Sequence, residues 1–239
     1  MAIHFVVFQE NYINLQVVKS YNSNSMATHP LWRDEYWLLL MQLYLKKPVG
    51  VKPLYSKAMV ELSLELHIAP QVLYQQMFRL RQIDTPQMEK LWAKYGKNPR
   101  KLSREVNLLR QMNGYGTAGE FYEGVDVNES FEKDFRPVSD DTKVRPVDLI
   151  MILDLYFRLT PLTMVAETPE IQELAKMLKM TAGEVVDIMD VFKVCDPYLG
   201  RDDIIIHPLL EHCKAVWSKY ASDNPTKLAA LAAQLKELY

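Results

Sequence analysis

Apolar residues recur at i, i+3 and i+4 along much of this chain, the spacing that gathers them on one face of an α-helix. Leu39 and Leu43 form one such stripe, and Met151 and Leu155 form another. Helix starts punctuate the periodic stretches. Thr85-Pro86, Asn98-Pro99, Thr168-Pro169 and Asn224-Pro225 each set an N-capping side chain before a proline, whose missing N–H costs a first turn nothing. Pro70 and Pro208 mark two more starts, and Thr181 with Glu184 has the spacing of a capping box. Pro48, Gly96 and Asn113-Gly114 read as stops. The pattern predicts an all-α fold, with helices near 34–47, after Ser56, from Pro70, from Pro86 to Gly96 and from Pro99 to Asn113.

The same pattern then returns, shifted by 112 residues. Leu43-Tyr44-Leu45-Lys46 pairs with Leu155-Tyr156-Phe157-Arg158, Glu61-Leu62 with Glu173-Leu174, Met77 with Met189 and Asp84 with Asp196. About 13 extra residues around Tyr198–Leu210 follow, after which Trp92 and Tyr95 meet Trp217 and Tyr220. This predicts a tandem repeat of two similar units of about five helices. The expected organisation is an N-terminal arm over 1–30, a first repeat over 31–112, a linker over 113–144 and a second repeat over 145–239. The linker carries Gly114, Gly116, Gly119 and Gly124 and many acids. Its aromatics Phe121, Tyr122, Phe131 and Phe135 imply that part of it packs down. The arm lacks the basic start of a signal peptide, and Met26 is an alternative first residue.

Composition narrows the class. Only 8 glycines argue against a turn-rich β protein. Two cysteines, Cys195 and Cys213, cannot build a disulfide framework, and reduced thiols point to a cytoplasmic protein. No apolar run approaches the ~20 residues that span a bilayer. The longest, Trp37–Leu45 and Leu149–Phe157, contain Gln42 and Asp154 and read as buried helices.

The formal net charge of −2 hides a strong asymmetry. Between Arg33 and Met112 there are 14 Lys and Arg against 7 Asp and Glu. Over 113–144 the balance is 3 against 8, and from 145 onward it is 10 against 14. A basic half joined to an acidic half points to nucleic-acid contact.

The basic half also holds the spacing of a helix-turn-helix, from Glu61 to Tyr74. Leu62, Leu66, Ile68, Leu73 and Met77 form its expected core, Ser63 is its small residue at close approach, and His67-Ile68-Ala69 is its turn. The exposed face of the second helix offers Gln71, Tyr74, Gln75, Arg79 and Arg81, with Gln82 nearby. Gln and Arg can pair bidentately with base edges, and Arg also meets phosphate, so double-stranded DNA is the expected partner. Lys97 and Lys101 are expected to reach phosphate at most. The second repeat carries Glu184, Asp187 and Asp190 on the corresponding face, which phosphates repel. Tri-helical units of this spacing also serve as protein-binding modules. The alternative is therefore an adaptor or scaffold whose acidic repeat takes a protein partner.

The second repeat resembles the helical domain that precedes the nuclease domain in HNH-type restriction endonucleases. Leu155-Tyr156-Phe157-Arg158, Pro169-Glu170-Ile171, Glu173-Leu174, Asp196-Pro197 and Trp217 carry the resemblance. The first repeat shares Leu43-Tyr44, Glu61-Leu62, Asp84 and Trp92. The resemblance implies an accessory role near DNA without the nuclease chemistry, whose clustered His and Asn residues this chain lacks.

Other chemistry finds no motif. His207, His212 and Cys213 lie close together near Cys195, but in no usual zinc spacing, so no metal is expected and Cys213 reads as buried. Ile204-Ile205-Ile206 reads as a short extended plug. There is no phosphate-binding glycine loop and no nucleophile signature, so neither catalysis nor a cofactor is expected. Glu61 and Glu65 share a helix face and read as solvated. Tyr44 and Tyr156 read as structural anchors for helix ends.

Overall fold

A computed structural model describes residues 29–83, 85–115, 131–199, 206–222 and 224–239. The chain divides into two compact units between Trp32 and Arg33. The expectations for residues 1–25, Asp84, Phe121 and Tyr122 lie outside the described residues. The rest of this description concerns Arg33–Tyr239.

All regular structure among the described residues is helical. The helices are α1 (Tyr36–Leu45), α2 (Lys57–Leu66), α3 (Pro70–Gln82), α4 (Pro86–Tyr95), α5 (Pro99–Arg110) and the short α6 (Glu132–Phe135). There follow α7 (Pro146–Arg158), α8 (Pro169–Leu178), α9 (Ala182–Cys195), α10 (Leu210–Tyr220) and α11 (Pro225–Leu235). Short 3-10 turns occupy Pro161–Thr163 and Lys236–Leu238. No helix of the described residues is long and apolar enough to cross a membrane.

Three of the five expected capping residues act as caps. Thr85 accepts from the Met88 N–H, Asn224 accepts from the Thr226 N–H, and Thr181 and Glu184 bond each other's backbone reciprocally. Asn98 and Thr168 precede their prolines without a side-chain cap. Ile206, expected in a plug, is 96% exposed.

α1 and α7 are the central helices. α1 packs on α3 and α5, and α7 packs on α9 and α11. Buried positions in the two sets lie 112 residues apart: Leu40 and Ile152, Met59 and Ile171, Leu66 and Leu178, Leu73 and Val185, Met77 and Met189, Leu80 and Phe192. The turns agree as well. His67 ends α2 at φ 55, and Lys179 ends α8 at φ 59. In each turn the next N–H reaches back five residues, from Ile68 to the Ser63 carbonyl and from Met180 to the Ala175 carbonyl. Trp92 stands edge-on to Tyr44 at 5.6 Å, and Trp217 to Tyr156 at 5.8 Å. The Tyr156 hydroxyl donates to the Asp196 carboxylate at the end of α9, the anchoring role expected of that tyrosine.

The two sets share a core. Val60 of α2 is buried in the same cluster as Phe135, Val144 and the helices from α7 onward. Tyr55 and Leu64 pack against it, and Tyr55 lies against Phe135 at 6.0 Å. Residues 131–144 are therefore part of the packing. His67 Nδ1 meets Glu132 Oε1 at 2.7 Å, which ties the turn after α2 to α6.

Candidate nucleic-acid interface

α3 presents the candidate face because its other side is fully used. Leu73, Met77 and Leu80 have no exposed surface, and Gln76 is buried beside them. With successive residues about 100° apart around a helix, the opposite arc holds Gln75, Phe78, Arg79, Arg81 and Gln82, all exposed. Arg79 lies 6.0 Å over the Trp37 ring and donates to the Gln76 side chain at 3.3 Å, so its guanidinium leans on the helix surface. Tyr74 is half-buried, and burial pushes its hydroxyl pKa up. Its ring packs at 83° against Phe78, 5.0 Å away.

Gln71 stands apart from the other four predicted residues. Its side-chain amide donates to the Tyr55 hydroxyl at 2.8 Å. It lines a crevice of about 60 Å³ together with Phe131, Phe135, Ile150 and Leu231. Such a space holds about two waters, far too few for a base. The first turn of α3 therefore faces the rest of the protein, whereas Gln75, Arg79 and Arg81 face outward.

A second basic feature adjoins this helix in sequence. Lys90, Lys94, Lys97, Arg100, Lys101 and Arg104 are all exposed on α4, α5 and the corner between them. Lys94 and Lys101 flank the buried Tyr95 ring at 4.8 and 5.8 Å. Of the fourteen cations between Arg33 and Met112, Lys57 and Arg110 hold ion pairs among the described residues. The density of cations from Lys90 to Arg104 was visible in the sequence, but the expectation singled out Lys97 and Lys101 alone. Phe78 was also missed, although helical spacing puts it next to Tyr74 and Gln82.

No protein-family model, no curated protein and no solved structure matches this chain. The chemistry of the site must therefore come from its own residues.

The acidic face of the second half is differently built. Glu184 is engaged by the Thr181 backbone and hydroxyl, which hold its carboxyl below the usual range. Asp190 pairs with Lys193 at 2.6 Å, and Asp187 is exposed. Val191, at the place of Arg79, is buried. All three expected acids therefore reach the surface, but Glu184 and Asp190 are bonded within the chain.

Among the described residues no cluster of His, Cys, Asp and Glu could hold a metal ion. Cys213 is buried on α10, and burial pushes its thiol up to about 12. Glu65, expected to be solvated, receives the Arg110 guanidinium at 2.7 and 3.0 Å and the Tyr115 hydroxyl. Burial alone would raise its pKa, but these bonds hold it below the ordinary carboxylate range.

Proposed function

We propose that this chain is a non-catalytic, nucleic-acid-associated protein that binds through its first half, as one of two copies of a duplicated helical unit. The observation that carries the reading is the set of exposed cations on α3, α4 and α5 with no ion-pair partner among the described residues. Exposed charges of one sign create a potential that attracts a polyanion, and each phosphate they neutralise releases counterions. On the second half, by contrast, Arg145, Arg158, Lys193 and Lys214 each have an acidic partner.

Gln75, Arg79, Arg81 and Gln82 supply side chains able to pair with base edges, and the lysines supply phosphate contacts. α2 and α3, joined by three residues, support a helix-turn-helix reading of the pair. The resemblance to the helical domain ahead of HNH nuclease domains points the same way, toward an accessory role near DNA.

A titration of labelled oligonucleotide against the full chain at several salt concentrations tests the reading. Affinity should fall linearly in log salt, by several units of slope. Absence of binding at about 50 mM salt rejects it, because six phosphate contacts are detectable there.

A further inference from the structure

We infer that the outer face of α3 takes single-stranded nucleic acid, with an unpaired base stacked on Phe78, rather than the groove of a duplex. The inference rests on the nucleic-acid reading above and names the class of ligand within it.

Three observations carry it. The first is the position of Gln71. A helix that reads a major groove does so with its N-terminal residues. Here that end of the helix is turned toward Tyr55, Phe131, Phe135 and Ile150, and the Gln71 amide is bonded to the Tyr55 hydroxyl. The second is what occupies the middle of the outward arc. Phe78 is 37% exposed and lies between Tyr74 and Arg81 on one side and Gln75 and Gln82 on the other. A phenyl ring cannot read donors and acceptors on stacked base pairs, and its one favourable groove contact is with a thymine methyl. An unpaired base offers its π-face, which any aromatic side chain can meet. The perpendicular packing of Tyr74 on Phe78 fixes the platform.

The third observation is charge. Arg79 and Arg81 flank the aromatic pair on opposite edges of the arc and hold no ion pair among the described residues. The α4–α5 corner, next along the chain, carries six more exposed cations. Aromatic rings bordered by a basic surface are the arrangement that binds single strands with little sequence preference.

The test compares a fluorescein-labelled oligothymidylate of about 16 nucleotides with a mixed-sequence duplex of the same length, by anisotropy with the full chain at about 50 mM salt. The single strand should bind at least about tenfold more tightly. Phe78→Leu keeps the side chain apolar but removes the ring, and should lower single-strand affinity about tenfold. Phe78→Trp should retain it, and its indole fluorescence should be quenched as the strand binds. Equal or tighter duplex binding overturns the inference while leaving the nucleic-acid reading intact. An unchanged affinity in Phe78→Leu, or an unquenched indole in a variant that still binds, also overturns it. Binding of neither ligand rejects the underlying reading as well.

Discussion

α3 and α9 bury apolar residues that lie 112 residues apart, yet their outer faces have little in common. Leu73, Met77 and Leu80 have as counterparts Val185, Met189 and Phe192, all buried. Outside, Gln75 faces Asp187 in the alignment, Phe78 faces Asp190, and Arg79 faces the buried Val191. Packing and the proposed recognition therefore fall to different residues of the same helix. The apolar stripe is constrained by volume and tolerates Leu, Met, Val and Phe in exchange. The polar arc carries no such constraint, and it is basic and aromatic on α3 but acidic on α9, where Glu184 and Asp190 are bonded within the chain.

The largest expected effect tests whether the two halves are equivalent inside. Leu40→Ala and Ile152→Ala remove matched, fully buried side chains from the two central helices. Each should cost about 2–5 kcal/mol in urea denaturation. Because Val60 joins the second half's core, both variants should lower the midpoint of one shared transition. Two separate transitions, one shifted by each variant, would break the picture of a shared core.

A smaller effect separates the two turns. His67 and Lys179 both sit in the left-handed region, which glycine adopts without strain. Lys179→Gly should therefore stabilise by up to about 1 kcal/mol, because the left-handed cost of about 1–2 kcal/mol for a side-chain-bearing residue exceeds glycine's entropic cost of about 0.5–1 kcal/mol. His67→Gly removes the same strain but also the contact with Glu132, so it should gain nothing or lose stability. Equal gains in the two variants would mean that the tie to α6 contributes nothing.

The pair Arg110–Glu65 has no counterpart, since Met177 stands where the second half would need the acid. Arg110→Ala should cost about 1 kcal/mol at neutral pH. Glu65 has a lowered folded-state pKa, so its contribution is complete above its ordinary value of 4.5 and fades as pH falls through the lower folded value. The penalty of Arg110→Ala should shrink toward zero in that acid window. A penalty independent of pH there would assign the effect to lost packing of the arginine stem.

These comparisons also show what a sequence can carry. Local signals were legible: prolines fixed the first residues of α3, α4, α5, α8 and α11, and the i, i+4 stripes picked out the buried positions. The candidate face was legible for Gln75 and Arg79, which helical periodicity alone turns away from Leu73 and Met77, whereas Arg81, one turn beyond Met77, is exposed at the edge of that face. Gln71 was not, because its surroundings come from Tyr55, Phe131 and Ile150, far away along the chain. Glu65 was misjudged for the same reason, with Arg110 45 residues away. Val191 was beyond reach too, since its burial depends on helices packed across α9. Contacts at long sequence separation follow from packing, which no local spacing encodes.

The central claim is that the first half binds nucleic acid through cations that hold no ion pair among the described residues. The direct measurement is the slope of log affinity against log salt for the full chain and for a variant with Lys97, Arg100, Lys101 and Arg104 all changed to Ala. Each phosphate contact removed should lower the slope by about one unit, so the variant should lose up to about four units and bind weakly to every sequence. A control change in the second half, Lys176→Ala with Lys179→Ala, should leave slope and affinity alone. An unchanged slope in the first variant, or a loss of slope in the second, would contradict the account.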